Sequence, residues 1–304
     1  LALFELGDEH AGFVPPADAD KAYRVVADGD LWKPLRAIRH NLPPERDSFV
    51  GRSAELRELA RRLDAGARLV TLTGVGGTGK TRLARRYAQS WLGDWPGGVT
   101  FCDLSEARSL EGVCFAVASA LQVPLGKDNP VEQLGHAIDA RGRSLLVLDN
   151  IEQVVGPASR ALSSWLDLAG AAAFVATSRE RLRVRGEEVL EVEPLPVHSD
   201  AIELFVARAR SQAAGFELDD VARDAVAEVV QLLDGLPLAI ELAAARVRVL
   251  SPAQIVDRLR DRFQLLSGAR GSADRQATLK AAIDWSWNRS EERRVGKECL
   301  RLCR

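Results

Sequence analysis

The residues with the clearest chemistry lie in one run, Gly74-Val75-Gly76-Gly77-Thr78-Gly79-Lys80-Thr81. Its spacing matches G-x-x-x-x-G-K-[ST], a phosphate-binding loop. Glycines let the backbone curl so that successive N–H groups face phosphate oxygens. A helix N-terminus behind the loop adds partial positive charge. Lys80 is suited to reach β- and γ-phosphates, and the Thr81 hydroxyl to ligate Mg²⁺. Arg82 follows directly and is grouped with the loop. The pattern requires a strand before it and a helix after it. Arg68-Leu-Val-Thr-Leu-Thr73 is apolar and β-branched, which predicts a buried strand, and Leu83–Ala88 suits a helix. A glycine-rich turn matching by chance would lack that context.

Further residues would complete such a site. A magnesium ion on phosphates requires a carboxylate ending a hydrophobic strand beside the loop. Leu145-Leu-Val-Leu-Asp149 supplies it, followed by Asn150 and then Glu152. The alternative for Asp149 is a helix cap or turn at a strand end. A sensor of the terminal phosphate should come from the neighbouring strand end, and Ala173-Phe-Val-Ala-Thr177-Ser178-Arg179 fits. The Arg179 guanidinium can grip phosphate as a charge-assisted fork; the alternative is a solvated surface Arg. Catalytic roles are thus expected for Lys80, Asp149, Glu152 and Arg179, with Thr81 and Asp149 holding the metal. Asn150 stands where turnover-specialised ATPases place a Glu to polarise water. Asn cannot accept a proton as a carboxylate does, so slow hydrolysis is expected, with Glu152 the candidate substitute.

Placing these groups takes an ordered scaffold. Strands are predicted at 68–73, Val99–Leu104, Ser144–Asp149, Ala173–Thr177 and Glu188–Glu193. Helices fall between most of them, including Val113–Leu121 and Pro157–Leu168, with Trp165 in the core. This alternation predicts a parallel α/β sheet with crossover helices. Upstream, Ser53 is the expected N-cap of a helix with Leu56, Leu59 and Leu63 on one face. After Pro194-Leu-Pro196 the strand signals stop. Asp200 is the expected cap of a helix carrying Ile202, Leu204, Phe205 and Val206, and Ala222–Asp234 is a second, ended by Gly235. Pro237 opens Leu238–Leu250, and Ser251-Pro252 repeats the cap-then-Pro signal. The expected fold is α/β: a P-loop NTPase parallel sheet with crossover helices, followed by an all-helical lid subdomain.

Composition narrows the classes. A length of 304 residues fits about two domains, and 46% hydrophobic content supports a core. A net charge of −2 gives no global basic field, so direct nucleic-acid binding is not expected. Arg179–Arg185 is one local basic patch, more simply a solvated loop. Only six of the 41 basic residues are Lys, which reads first as codon bias. Cys102, Cys114, Cys299 and Cys303 show neither paired metal spacing nor a secreted disulfide framework. No apolar run approaches the ~18 residues of a membrane span, and no signal peptide is visible. A cytoplasmic compartment without membrane partners is expected. With no Met even at position 1, the chain is expected to be part of a longer one. Leu3–Leu6 could be a last strand of an upstream module, followed by an extended linker marked by Pro15-Pro16, Pro34 and Pro43-Pro44. Leu279, Ile283, Trp285 and Trp287 begin a further element. The tail 289–304 holds two of the four cysteines and no defensible period. It resembles translated adapter read-through and is expected to be non-native.

Five segments occur in order: Ser48-Phe-Val-Gly51-Arg52, Gly74–Thr81, Leu145–Asn150, Thr177-Ser-Arg179 and Gly235-Leu-Pro-Leu-Ala239. Together they resemble the nucleotide-binding module of the STAND family of signal-transduction ATPases, which includes NB-ARC proteins and large bacterial transcriptional regulators. The resemblance spans about residues 46–288. It implies ATP or ADP with Mg²⁺ as ligands. It places Val50, Gly51 and Arg52 in the adenine and ribose pocket and Pro237 over the base. On physics alone Gly235-Leu-Pro reads as a helix–turn–helix joint. The implied nucleotide-binding set is Val50, Gly51, Arg52, Gly74, Val75, Gly76, Gly77, Thr78, Gly79, Lys80, Thr81, Arg82 and Pro237. The implied organisation is an upstream end and linker at 1–47, a P-loop domain at 48–196, a helical lid at 197–268 and the start of a winged-helix domain at 269–288. More weakly, Lys21–Val26 through Asn41-Leu-Pro43 resembles the exit from a class III nucleotide cyclase domain; an ordinary linker is the alternative. None of His10, His40, His136 or His198 matches a family position.

The resemblance also implies a switch. ADP holds a closed resting form, and exchange for ATP lets the arms open and oligomerise. The implied partners are the adjoining domains of the same chain, with a cyclase or transcription factor as output, and further copies of the chain on activation. The alternative is an energy-transducing AAA+-like ATPase acting on a macromolecule. Asn150 and the Gly-Leu-Pro lid argue against it.

Overall fold

A computed structural model describes residues 23–28, 31–36, 38–126, 128–213 and 215–266, and the chain divides into units 1–39 and 40–304. In the first unit, β1 (Tyr23–Asp28) and β2 (Leu31–Arg36) pair antiparallel with Pro34 opposite Val25. The extended run expected around Pro34 is therefore a paired ribbon. Both its strands are edges, where a residue without an N–H is tolerated. Leu3–Leu6, Pro15-Pro16, the element at 275–288 and the tail 289–304 lie outside the described residues.

The second unit runs α1 (Ser53–Asp64), β3 (Leu69–Thr73), α2 (Lys80–Ser90), β4 (Val99–Asp103), α3 (Leu110–Leu121), α4 (Pro130–Asp139), β5 (Leu145–Asp149), α5 (Val155–Leu168), β6 (Ala173–Thr177) and β7 (Glu187–Glu191). The strands form one sheet in the order β4-β5-β6-β3-β7, and every pairing is parallel. The sheet is thus the parallel α/β sheet that the alternating pattern predicts. β6 stands between β3 and β5, so the Asp149 strand is one strand removed from the strand that leads into the loop.

Strand periodicity sets the layers. Leu146 and Leu148 of β5 pack with α3, α4 and α5 on one face, around Trp165, which is fully buried against Phe174. Leu145 and Val147 point the other way and pack with α1 and α2. Successive strand side chains face opposite sides, so both sheet faces must be covered and the central strands β3, β5 and β6 read as largely apolar runs, while the edge strand β7 buries only Leu190. α4 was not singled out from the sequence, although Asn129-Pro130 gives it a cap and a first-turn proline.

Helices α6 (Asp200–Gln212), α7 (Asp220–Leu232), α8 (Pro237–Ala244) and α9 (Pro252–Leu266) follow. They share a separate core built on Leu204, Phe205, Val226, Val230, Ile240 and Ile255. Pro237 opens α8 as expected, but the helix ends at Ala244 rather than Leu250. At α9 the cap is reciprocal: the Ser251 hydroxyl accepts from Gln254 N–H and Gln254 Oε1 accepts from Ser251 N–H. Two expected caps are corrected. Ser53 is the first residue of α1, and its N-cap is Arg52 in the left-handed region. Asp200 is likewise the first residue of α6, behind Ser199. Before α1 the left-handed Arg52 faces the cleft, and the Asp200 carboxylate is turned onto Gly51 rather than capping its own helix.

Candidate functional site

Glycine shapes the loop between β3 and α2. Gly74, Gly77 and Gly79 have φ of 144°, 82° and 91°, backbone that other residues rarely adopt. A Cβ on Gly74 would stand 2.5 Å from the Val192 carbonyl oxygen. Gly79 is the N-cap of α2 and brings no side-chain acceptor, so the first-turn amides of α2 remain available to an anion. The Lys80 ammonium lies over the loop and donates to the carbonyls of Gly74 (2.8 Å) and Val75 (3.0 Å). Burial holds it below the usual lysine range, while Glu152 and Asp149 pull in the opposite sense.

Asp149 is 2% exposed and fully engaged. Its Oδ1 accepts from the Thr177 hydroxyl at 2.5 Å and from the Thr81 hydroxyl at 2.7 Å. Its Oδ2 accepts from Asn150 Nδ2 at 3.1 Å. The Thr177 oxygen in turn accepts the Asn150 N–H at 3.0 Å, and Asn150 Nδ2 also reaches Asp103 Oδ1 at 3.2 Å. Asn150 has a φ of 60°, which Asn tolerates better than most residues. Burial pushes the Asp149 carboxyl above the usual range, and the two hydroxyl bonds pull it back. The orienting parts of Thr177 and Asp103 were not read from the sequence, where Thr177 stood only as part of the sensor segment. Only a loop sharply reversed at Asn150 reveals them.

Glu152 and Arg179 are brought together, with Arg179 Nε 3.3 Å from Glu152 Oε1. Both face a cleft of about 800 Å³, within the range of small-molecule sites. Val50, Arg52, Gly76, Gly77, Thr78, Gly79, Lys80, Thr81, Arg82 and Pro237 also line it, together with Arg46, Phe49, Asn150 and Glu241. Gly51, Gly74, Val75 and Asp149 do not line it. Gly51 has a φ of 68°, and the Asp200 carboxylate fills the space a Cβ there would need. Arg52 is 6% exposed and spends its donors on Glu55 Oε1 (2.6 Å), Thr78 O (3.1 Å) and Glu193 O. It clamps the loop to the chain leaving β7, and its guanidinium is occupied.

The helical layer reaches the loop directly. Leu238 N–H, in the first turn of α8, donates to Gly77 O at 3.2 Å. One turn further, Glu241 Oε1 accepts from Arg82 Nη1 (3.0 Å) and Arg208 Nε (2.9 Å). Both arginines also donate to Ser48 O, at 2.7 and 2.9 Å. Arg208 and Glu241 were missed from the sequence. The one available signal is that Arg208 sits four residues after Leu204 and three after Phe205, on the apolar stripe of α6.

These features fit a magnesium nucleotide. The loop presents amides and a lysine to an anion, and the Thr81 hydroxyl beside the Asp149 carboxylate is a hard-oxygen set of the kind Mg²⁺ takes. Among the described residues no group of His, Cys, Asp and Glu is arranged to hold a metal by protein ligands alone, and no helix is long and apolar enough to cross a membrane. A shared role with phosphate oxygens is the usual mode for Mg²⁺.

Residues 61–183 match the family model described as an AAA domain. An uncharacterised protein of Mycobacterium tuberculosis is 38% identical over 252 residues, covering 82% of this chain and 64% of that protein. A second protein of the same organism, named as an HTH-type transcriptional regulator, is 41% identical over 232 residues, covering 74% of this chain and 26% of the regulator. The chain therefore spans less than two thirds of the first relative and about a quarter of the second. Among solved structures, Cdc6p from Pyrobaculum aerophilum superposes with a TM-score of 0.54 at 17% identity, covering 76% of this chain and 72% of that one. That likeness concerns the fold.

Proposed function

We propose that this chain, which carries a P-loop NTPase domain matching the AAA model over residues 61–183, is an adenine-nucleotide switch of the STAND type that hydrolyses slowly and regulates the rest of a longer protein. The observation that carries this reading is the bond from Leu238 N–H to Gly77 O. It joins the helical layer to the loop that would hold the phosphates, so a change at the phosphates alters what that layer can grip. A two-state element biased by differential affinity for two ligands is what a switch requires.

In this reading Thr81 and Asp149 would hold a magnesium ion beside the phosphates, and the ion would supply charge neutralisation there. Lys80 leaves the Gly74 and Val75 carbonyls for phosphate oxygens. Thr177 and Asn150 hold the Asp149 carboxylate in place. Arg179 parts from Glu152 to meet a γ-phosphate, which ADP lacks. Val50, Leu195 and Pro237 supply apolar walls for the base, while Gly51 and Arg52 shape the turn that presents Val50. Helices α6–α9 act as the lid. Asn150 spends its side-chain amide on two carboxylates, and it is no base. Glu152 is the one carboxylate lining the cleft next to Asn150, and slow hydrolysis rests on the absence of a base at Asn150 itself.

The relative named as a regulator supports an output in transcription; copies of the chain are the proposed partners once ATP is bound. The test is steady-state phosphate release by the purified chain. A rate on the order of 10⁻³ s⁻¹, as for switch GTPases without an activator, is expected. Turnover at tens per second without an activator would overturn the switch in favour of an energy-transducing ATPase.

A further inference from the structure

The segment that leads into the nucleotide cleft is held in an unusual way. His40 makes an isolated parallel bridge to Val99, on the outer edge of β4. The Asn41 side chain then takes the place of a strand. Its Oδ1 accepts Phe101 N–H (2.6 Å) and its Nδ2 donates to Phe101 O (2.9 Å). Leu42 is buried in the core under α2. Pro43 and Pro44 follow, without N–H groups, so this stretch offers only carbonyls.

Donor-only side chains meet those carbonyls. Arg82, Arg85 and Arg86 lie on consecutive turns of α2, starting one residue after Thr81. Arg85 donates to Pro43 O (3.0 Å), and Arg86 to Glu45 Oε2 (2.9 Å), with its guanidinium over the Phe49 ring. Arg82 donates to Asp47 O (2.9 Å) and to Ser48 O. Ser48 O is shared with Arg208 of the helical layer. One face of the helix that begins at the phosphate loop thus grips the whole segment, and residues 43–47 form a wall of the cleft.

We propose that residues 40–48 are a strap through which nucleotide occupancy is transmitted to the part of the protein upstream of it. The inference rests on the nucleotide reading above and adds the route of the signal. Beyond the His40 bridge, the Asn41 clasp and the buried Leu42 side chain, residues 43–48 are held by guanidinium–carbonyl and ion-pair bonds, each weak alone and releasable together. The strap leaves when α2 and the helical layer cease to present Arg82 and Arg208 side by side. Reciprocally, whatever pulls on the strap from upstream opens a wall of the cleft and weakens nucleotide binding.

The test uses the full chain and its Asn41→Ala/Arg86→Ala double variant, in which neither altered residue lines the cleft. Arginine-specific proteolysis after Arg46 reads whether the strap is seated, and cleavage elsewhere in 53–266 serves as the internal gauge of folding. In the absence of nucleotide, cleavage after Arg46 is expected to be about five-fold faster in the variant, since proteases cut locally opened chain. Saturating ADP is expected to slow wild-type cleavage, and calorimetry to show ADP affinity in the variant lower by a comparable factor. Equal cleavage of the two proteins without nucleotide overturns the seated strap. ADP that binds by calorimetry yet leaves cleavage unchanged overturns the coupling. ADP that does not bind overturns the nucleotide reading and the coupling with it, while the cleavage comparison still decides the strap.

Discussion

At the scale of single residues, Asp149 is the side chain on which the site turns. Three neighbours fix it in the ligand-free fold: two hydroxyls on one oxygen and an amide on the other. Partners of metal ligands typically govern affinity by about 10–100-fold. Thr177→Val is therefore expected to weaken Mg²⁺-dependent ATP binding by about ten-fold and to change metal-free ADP binding little, as measured by titration with and without Mg²⁺. Protonation follows the same geometry. Lys80 sits below its usual pKa in the ligand-free fold, so in the window below the unfolded value the native state binds fewer protons than the unfolded one. Ligand-free stability then rises with pH across that window and is lost as pH falls through the folded pKa. Phosphate binding runs the other way, because the anion needs the ammonium. Nucleotide binding on the alkaline side is expected to take up a proton, seen as a buffer-dependent calorimetric heat. No proton uptake there would mean that Lys80 does not meet the phosphates. The loop, Asp149 and Arg179 were legible because their spacing encodes local geometry. Asn150 read only as a missing base; its role as a tether needs a left-handed turn and partners at Asp103 and Thr177, which no spacing reveals.

At the scale of elements, what the sequence told plainly was periodicity. Each strand of the sheet lies within two residues of its expected position, and for β3, β5 and β6 the reason is that a strand buried on both faces is a largely apolar run. Caps were harder to read. Ser53 and Asp200 have favoured cap chemistry, yet each became the first helical residue. Gly51 and Arg52 both take positive φ, and the Asp200 side chain closes onto Gly51. Sequence-local capping lost to contacts that join Arg52 to Thr78 and Glu193, far along the chain. The joint at Gly235 shows the same tie between element and site. Its φ is 65°, and a Cβ there would lie 2.1 Å from Leu195 O, while its carbonyl accepts Leu195 N–H. Gly235→Ala is expected to cost about 2–3 kcal/mol in urea unfolding and to displace α8 from the loop, lowering nucleotide affinity as well. A variant of unchanged stability would show that the α7–α8 joint tolerates rearrangement.

At the scale of the whole molecule, one carboxylate joins two arginines where the helical layer meets the sheet domain. Glu241 is shared by Arg82, which follows the phosphate loop, and Arg208 of α6. Glu241→Ala leaves Arg208, only 8% exposed, without that anionic partner. Since Glu241 and Arg82 are each about one third exposed, screening keeps the expected loss to about 1–2 kcal/mol. The loss should be local: hydrogen exchange is expected to rise in α8 while β3 and β5 keep their protection. Uniform loosening of sheet and helices would mean that the layer is not a separate moving part. The pairing within this network was not readable beforehand, because its members lie up to 160 residues apart; the place of Arg208 on the apolar stripe of α6 was the one local signal.

The most direct test of the account is calorimetric titration of ADP and of ATP with Mg²⁺ into this chain and its Lys80→Ala variant. The account predicts tight binding, tighter for ADP, that is lost in the variant while the fold is retained. A folded wild-type chain that binds neither nucleotide, or a variant that binds as well as the wild type, would contradict it.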